Sequence, residues 1–247
     1  MNNYEKADRI IKATEELSGL PVRVGWDDQL QVGAIVHLSE IELAKQIRIS
    51  VKPGRADSDY LVALQCAMAM MFVQNKSSTK HLVSCEGSIE EGITEFIQLG
   101  YPENIAIQMS NQIIPSLGQQ LRGSGPQLVL STWIYTNFPE LRDSQLAHHL
   151  LEVNTSYASL EIDSKQYPNW ILKSHQAMNG AFALASDYLF DKNDLFLPFK
   201  DSGYEAICTQ LMEYVTASSK EEADHILVSK WMNFLNLNGK FCWKENG

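Results

Sequence analysis

Cysteine is sparse in this sequence, and its four cysteines are far apart. They are Cys66, Cys85, Cys208 and Cys242, and no two of them form a Cys-x-x-Cys pair. Zinc knuckles and redox dithiols need closely spaced cysteines, so this spacing disfavours both kinds of site. In a reducing compartment we expect four free thiols, most of them buried.

The sequence also lacks the short motifs of several common enzyme classes. It has no Gly-x-x-x-x-Gly-Lys loop, no dinucleotide fingerprint and no Gly-x-Ser-x-Gly elbow. The sequence also has no cluster of basic residues. Its formal net charge is -10, and its lysines and arginines are interleaved with acidic residues. Proteins that bind a phosphate backbone neutralise it with clustered Lys and Arg, so a nucleic-acid partner is disfavoured.

An apolar segment long enough to cross a membrane is missing too. Residues 1–9 are polar and have no apolar h-region, so we predict no secretory signal. The main apolar stretch, Tyr60–Val73, has 14 residues, and a helix needs about 20 to span a bilayer. We therefore predict a cytoplasmic protein with no membrane association.

The segment Tyr60–Val73 is the most apolar part of the chain. Gln65 is its only strongly polar residue, and its Ala, Leu and Met content favours a helix over a strand. A helix that is apolar on every face is buried, so we predict a central core helix.

The residues before this helix predict a small β-sheet. An amphipathic helix is expected at Tyr4–Ser18, ended by Gly19 and Pro21. Three short β-branched segments follow, and we expect them to form one sheet packed on the central helix. The predicted strands are Val22–Gly25, Ala34–Leu38 and Gln46–Ser50.

The residues after the central helix are dominated by helical patterns. A helix that starts at Tyr101 is expected to end at Pro115 and Gly118, and Arg122–Pro126 is the best candidate for a linker. The remaining segments predict an antiparallel helical array. The predicted fold class is therefore α+β and predominantly α-helical, with one unit at residues 1–122 and a helical region at residues 127–247.

The order of helix, three short strands and buried helix resembles the ImmA/IrrE-type metallopeptidase family over about the first two thirds of the chain. In that family the buried helix carries His-Glu-x-x-His, usually after an aromatic and apolar lead similar to Tyr60–Ala63. This pattern places Leu64 at the first ligand, Gln65 at the catalytic acid and Met68 at the second ligand. The stretch Leu130–Arg142, followed by Gln145, is similar to a longer-chain subgroup with an acidic residue two positions before the Trp, and here that position is Ser131.

The resemblance implies a zincin-like fold whose metal site is vestigial. Leu64 has no donor atom, and the thioether of Met68 suits Cu(I) better than zinc. The amide of Gln65 cannot accept a proton at neutral pH as a general base must. The implied cleft of Leu64, Gln65, Met68 and Ser131 would hold no metal or other cofactor. Alternatively, Leu64 and Met68 are ordinary core residues and Gln65 is a buried amide, with partners in the short strands or near Ser131 and Thr132.

Two further groups of residues could carry chemistry. His81 and Cys85 are close in sequence, and a Cys with a nearby His suggests a thiolate nucleophile, although a solvated loop is the simpler interpretation. His148 and His149 are adjacent on a predicted helix, where neighbouring side chains point about 100° apart. We expect this pair to lie on the surface.

Three functional hypotheses follow from the sequence. The first is a non-catalytic metallopeptidase-like protein that acts in protein or ligand recognition and regulation. The second is a hydrolase with an unrecognised site, either the thiol of Cys85 with His81 or another polar group. The third is an unrelated helical interaction protein. The expected partner is another protein, or a second copy of this chain in a homo-oligomer.

Overall fold

The computed structural model describes residues 4–74, 80–219 and 224–245. Contacts between residues divide the chain into two compact units, and each unit takes two separate segments of the sequence. Unit 1 consists of Met1–Lys76 and Val129–Glu152, and unit 2 consists of Ser77–Leu128 and Val153–Gly247. No helix among the described residues has both the length and the apolar character that a membrane crossing requires.

Unit 1 contains a three-stranded sheet with β3 in the middle. Strand β1 runs parallel to β3, and β2 runs antiparallel to it. Alternate residues of β3, namely Ile47, Ile49 and Val51, are buried, whereas Arg48 is exposed, as expected for a sheet with one face on the core. The elements are α1 (Asp8–Ser18), β1 (Val22–Trp26), β2 (Ala34–Val36), α2 (Ile41–Ala44), β3 (Ile47–Val51) and α3 (Ser58–Gln74).

Helix α3 is the buried core helix of unit 1. Ten of the eleven residues from Tyr60 to Met70 are buried, and Met68 is the exception. The helix packs on α1, β2 and β3. The predicted arrangement, a small N-terminal sheet packed on a buried helix, is confirmed. Each predicted strand is found within two residues of its expected bounds, which is the usual uncertainty at the ends of such elements.

Unit 2 is mainly helical and contains a two-stranded sheet that was not predicted from the sequence. Strands β4 and β5 pair antiparallel, with Val83 opposite Cys242 and Ser84 opposite Phe241. Phe241 is buried, and its ring lies where a Cβ on Gly118 would be. The elements that begin in this unit are β4 (Lys80–Ser84), α4 (Ser88–Gln98), α5 (Glu103–Asn137), α7 (Asn169–Phe190), α8 (Leu197–Asp201), α9 (Glu205–Thr216), α10 (Asp224–Phe234) and β5 (Phe241–Glu245), and α6 (Arg142–Ser156) begins in unit 1.

The predicted helix end at Pro115 and the predicted linker Arg122–Pro126 are both wrong. Helix α5 is continuous from Glu103 to Asn137 and contains both Pro115 and Pro126. Proline and glycine disfavour a helix interior by about 1–3 kcal/mol each, but tertiary packing opposes that cost: the buried residues of α5 include Leu121, Leu128 and Leu130. The predicted unit boundary at residues 122–127 therefore lies inside a helix.

Candidate functional site

A buried polar cluster in unit 1 is the candidate functional site. Its members come from the end of the β3–α3 loop and from α3, α5 and α6, and all lie within unit 1. Polar side chains at this depth must be hydrogen-bonded or they destabilise the fold, so their partners define the chemistry of the cluster. The members are Arg55, Asp57, Tyr60, Ser131, Gln145, His148 and His149.

Ser131 lies at the centre of one half of the buried polar cluster. The hydroxyl of Tyr60 donates to Ser131 Oγ at 3.0 Å, and Gln145 Nε2 donates to the same oxygen at 2.8 Å. Ser131 Oγ also lies 2.8 Å from Nε2 of His149. Because the serine oxygen already accepts two hydrogen bonds, its own proton is directed to His149.

The imidazole of His149 is fully buried and neutral. Burial lowers its pKa well below the ordinary value, and the neighbouring charge of His148 lowers it further. A neutral ring with Nε2 as the acceptor carries its proton on Nδ1. The Ser131–His149 contact therefore has the donor and acceptor roles of a serine–histidine pair.

Asp57 is the centre of the other half of the cluster. Arg55 binds its carboxylate through two hydrogen bonds, from Nε at 2.8 Å and from Nη2 at 2.7 Å. His148 Nδ1 lies 2.9 Å from Oδ2 of the same carboxylate and donates to it. Burial alone would raise the pKa of Asp57, but the hydrogen bonds and charges of His148 and Arg55 outweigh it and hold the pKa far below the ordinary range. The carboxylate is therefore ionised at neutral pH.

The ring of Tyr60 joins the two halves. Its centroid lies 5.0 Å from that of His148 and 6.0 Å from that of His149, distances typical of packed aromatic pairs. Burial also raises the pKa of the Tyr60 hydroxyl, so this group stays protonated and remains a donor.

The four residues of the predicted cleft do not share one environment. Ser131 belongs to the buried polar cluster, whereas Leu64 is part of the apolar core of unit 1 and Met68 packs against that core. Residues four apart lie on the same face of a helix, so Leu64 and Met68 continue the face of Tyr60 with apolar side chains.

Gln65 faces the sheet and not Ser131. Its Oε1 accepts a hydrogen bond from the backbone N–H of Val36 at 2.9 Å. Between β2 and β3, the N–H of His37 donates to the carbonyl of Arg48, and the N–H of Lys52 donates to the carbonyl of Gly33. Hydrogen-bonded and non-hydrogen-bonded pairs alternate along an antiparallel ladder. The N–H of Val36, the residue before His37, therefore points away from β3. Gln65 therefore caps an edge position of β2, which agrees with the expectation that its partner would lie in the short strands.

His81 and Cys85 lie too far apart for a thiol–imidazole pair. His81 lies in β4, and Cys85 directly follows the last residue of that strand and continues its ladder. Four residues of extended chain span about 13 Å. Burial raises the pKa of the Cys85 thiol, and the neighbouring Cys242 raises it further, whereas a cysteine nucleophile needs a lowered pKa. The geometry does not support this pair as a site.

Most members of the buried polar cluster were not predicted from the sequence. The expectation that His148 and His149 lie on the surface is wrong, because the two residues are 5% and 0% exposed. The spacing of Gln145, His148 and His149 could have indicated the cluster, since residues three and four apart face the same side of a helix. Asp57 was not recognisable as a member, because its partner His148 is distant in the sequence.

No metal site is formed by the described residues, among which no three His, Cys, Asp or Glu side chains are grouped to hold an ion. Comparisons of this chain with protein-family models, with curated proteins and with solved structures give no match.

Proposed function

We propose that this chain is a non-catalytic, zincin-like relative of the ImmA/IrrE-type metallopeptidases that acts in protein recognition. The observation that carries the proposal is the position of Gln65. It occupies the place that corresponds to the catalytic acid, and its amide oxygen holds the N–H of Val36. A side chain that fixes the sheet and cannot take up a proton at neutral pH serves structure and not hydrolysis.

The other positions of the predicted cleft support the same proposal. Leu64 and Met68 contribute apolar surface to the core of unit 1, and Ser131 uses its hydroxyl within the buried polar cluster. Each position that the resemblance assigns to a metal ligand thus has a packing or hydrogen-bonding role in this chain.

The segment from Trp26 to Ile35 supports recognition of a protein partner. Trp26, Val32 and Ile35 are 48%, 54% and 40% exposed, and large apolar side chains outside the core favour contact with another protein. Trp is also enriched among residues that dominate binding energies. The partner is a different protein or a second copy of the chain.

Metal analysis tests the non-catalytic part of the proposal. After dialysis against zinc, the purified protein should retain far less than one zinc ion per chain, and it should not cleave casein. The control is Met178→Leu, because Met178 lies in unit 2, outside the predicted cleft. Zinc at one ion per chain that is lost in Met68→Leu but retained in Met178→Leu would contradict the proposal.

Site-specific photo-crosslinking tests the recognition part. A photo-reactive phenylalanine in place of Val32 should capture a defined protein in the native host, and the same residue in place of Tyr188, which is 70% exposed, should not. Capture of a second copy would assign the surface to self-association. Equal capture from both positions, or capture from neither, would count against recognition through this segment.

A hydrolase is the second candidate function, and the 2.8 Å contact of Ser131 with His149 favours it. A serine nucleophile needs such a base and an open path to substrate. Ser131 has no exposed surface and accepts hydrogen bonds from Tyr60 and Gln145. A fluorophosphonate probe should therefore leave Ser131 unlabelled, and labelling that disappears in Ser131→Ala would establish the hydrolase.

A further inference from the structure

Cys85 and Cys242 are brought together by the pairing of β4 with β5. Val83 lies opposite Cys242 in the antiparallel register, and the N–H of Cys85 donates to the carbonyl of Lys240 at 2.8 Å. The ladder thus continues one residue past the end of β4. Paired residues and residues two apart share a face of a sheet, so the two cysteines are diagonal neighbours on the same face.

The two thiols lie close enough to influence each other. Cys242 raises the pKa of the Cys85 thiol beyond the effect of burial, and the ammonium group of Lys244, on the same strand as Cys242, acts in the opposite direction. Both cysteines are half-buried, and Lys244 is exposed. Small reagents can therefore reach this face of the sheet.

The opposite face holds the two strands in position. Phe241 is buried and packs close to Gly118, and Trp243 donates from Nε1 to Ser229 Oγ at 2.9 Å. This anchoring keeps β5 in register with β4, so the proximity of the two cysteines belongs to the folded state of unit 2.

We propose that Cys85 and Cys242 form a redox modification site, at which hydrogen peroxide converts the two thiols into a reversible disulfide. The thiolate of one cysteine attacks a peroxide oxygen, the O–O bond breaks, and a sulfenic acid and water are produced. The second thiol then attacks the sulfenic sulfur, which forms the S–S bond and releases a second water. The two sulfurs are oxidised, the peroxide is reduced, and the hydrogens of both thiols leave in the two waters.

The environments of the four cysteines make this oxidation selective for one pair. Cys66 and Cys208 have no exposed surface, and burial raises the pKa of each to about 12. Thiols of that kind are inert because the thiolate is the reactive form. Burial and Cys242 also raise the pKa of Cys85, so the reaction needs excess peroxide. Among the four cysteines, only these two are both adjacent on one face of a sheet and partly exposed.

The disulfide would connect the last strand of the described chain to β4 and close a long loop of sequence. Cross-links over long loops stabilise a fold by restricting its unfolded state. For a chain of this size we expect the melting temperature to rise by about 5–10 °C on oxidation and to return to its original value on reduction.

Peptide mapping of the full chain tests the proposal. The protein is incubated with excess hydrogen peroxide, blocked with N-ethylmaleimide and digested without reductant. Mass spectrometry should find one cross-linked peptide pair that joins Cys85 to Cys242 and that dithiothreitol separates. Cys66→Ser and Cys208→Ser should form the same cross-link, whereas Cys85→Ser and Cys242→Ser should form none and should not gain melting temperature.

The reduced melting temperatures of Cys85→Ser and Cys242→Ser show whether these variants are folded, and the peptide map of the unmodified chain decides the question in any case. Recovery of Cys85 and Cys242 as separate maleimide adducts or separate sulfinic acids after peroxide treatment would overturn the proposal. A cross-link between two chains in place of one within the chain would overturn it as well.

Discussion

At the scale of single residues, the polar side chains buried in unit 1 hold elements together that are distant in sequence. Gln65 connects α3 to β2 through the N–H of Val36. Asp57 connects the start of α3 to α6 through His148. Hydrogen bonds to buried partners matter most when one member is removed, because the other is then left without a partner and without water.

Gln65→Leu should lower the free energy of unfolding by about 1–3 kcal/mol, because the N–H of Val36 then has no acceptor. The measurement is urea unfolding, combined with hydrogen exchange of the Val36 amide, which should become faster. Gln31→Leu is the control, because Gln31 is exposed. A substitution at an exposed position changes the free energy of unfolding by less than about 0.5 kcal/mol. Equal effects from the two variants would mean that Gln65 has no capping role.

Asp57→Asn should reduce stability in a pH-dependent way. The pKa of Asp57 is lower in the folded chain than the ordinary value of about 3.9. Its contribution is therefore present above about pH 4 and is lost as the pH falls through the folded-state pKa. We expect a loss of about 3 kcal/mol near neutral pH and a smaller difference from the unmodified protein in strong acid.

Urea unfolding at several pH values measures this difference. Asp143→Asn is the matched control, because the Asp143 side chain is 94% exposed and its removal should have little effect at any pH. If the deficit of Asp57→Asn stayed constant from neutral pH to strong acid, the ion pair with Arg55 and His148 would not be the source of the stability.

At the scale of elements, packing decides where helix α5 ends. The stretch Arg122–Pro126 contains two glycines and a proline, yet it is helical. Gly125 lies against Leu227 and Trp231, whereas the space around Gly123 is open. The local sequence favours a break, and the contacts of the folded chain override it.

The two glycines provide a test of this continuity. Gly123→Ala should raise the free energy of unfolding by about 0.5–1 kcal/mol, since alanine is the better helix former and its Cβ meets nothing within 4 Å. Gly125→Ala should give no gain, because its Cβ would lie 3.2 Å from the side chain of Leu227. Thermal unfolding measures both, and equal, negligible effects would instead indicate a flexible linker.

At the scale of the whole molecule, the sequence predicts the elements better than their grouping. The sheet and the buried helix could be predicted because Ile47, Ile49 and Val51 alternate with polar residues and because Tyr60–Val73 is apolar throughout. The division into units could not, since it depends on contacts that α5 and α6 make far along the chain. The same reason explains why Ser131 was identified from a resemblance while its contact with His149 was not.

Truncation tests the grouping directly. A fragment that ends at Arg122 lacks Leu130, Ile134, Phe138 and Leu141, four buried members of the unit 1 core. Burying each contributes about 1.5–3 kcal/mol, so their loss removes about 6–12 kcal/mol, comparable with the whole stability of a typical domain. This fragment should show no cooperative unfolding in urea, whereas a fragment that ends at Glu152 keeps both segments of unit 1 and should unfold cooperatively. Cooperative unfolding of the shorter fragment would mean that residues 129–152 do not belong to unit 1.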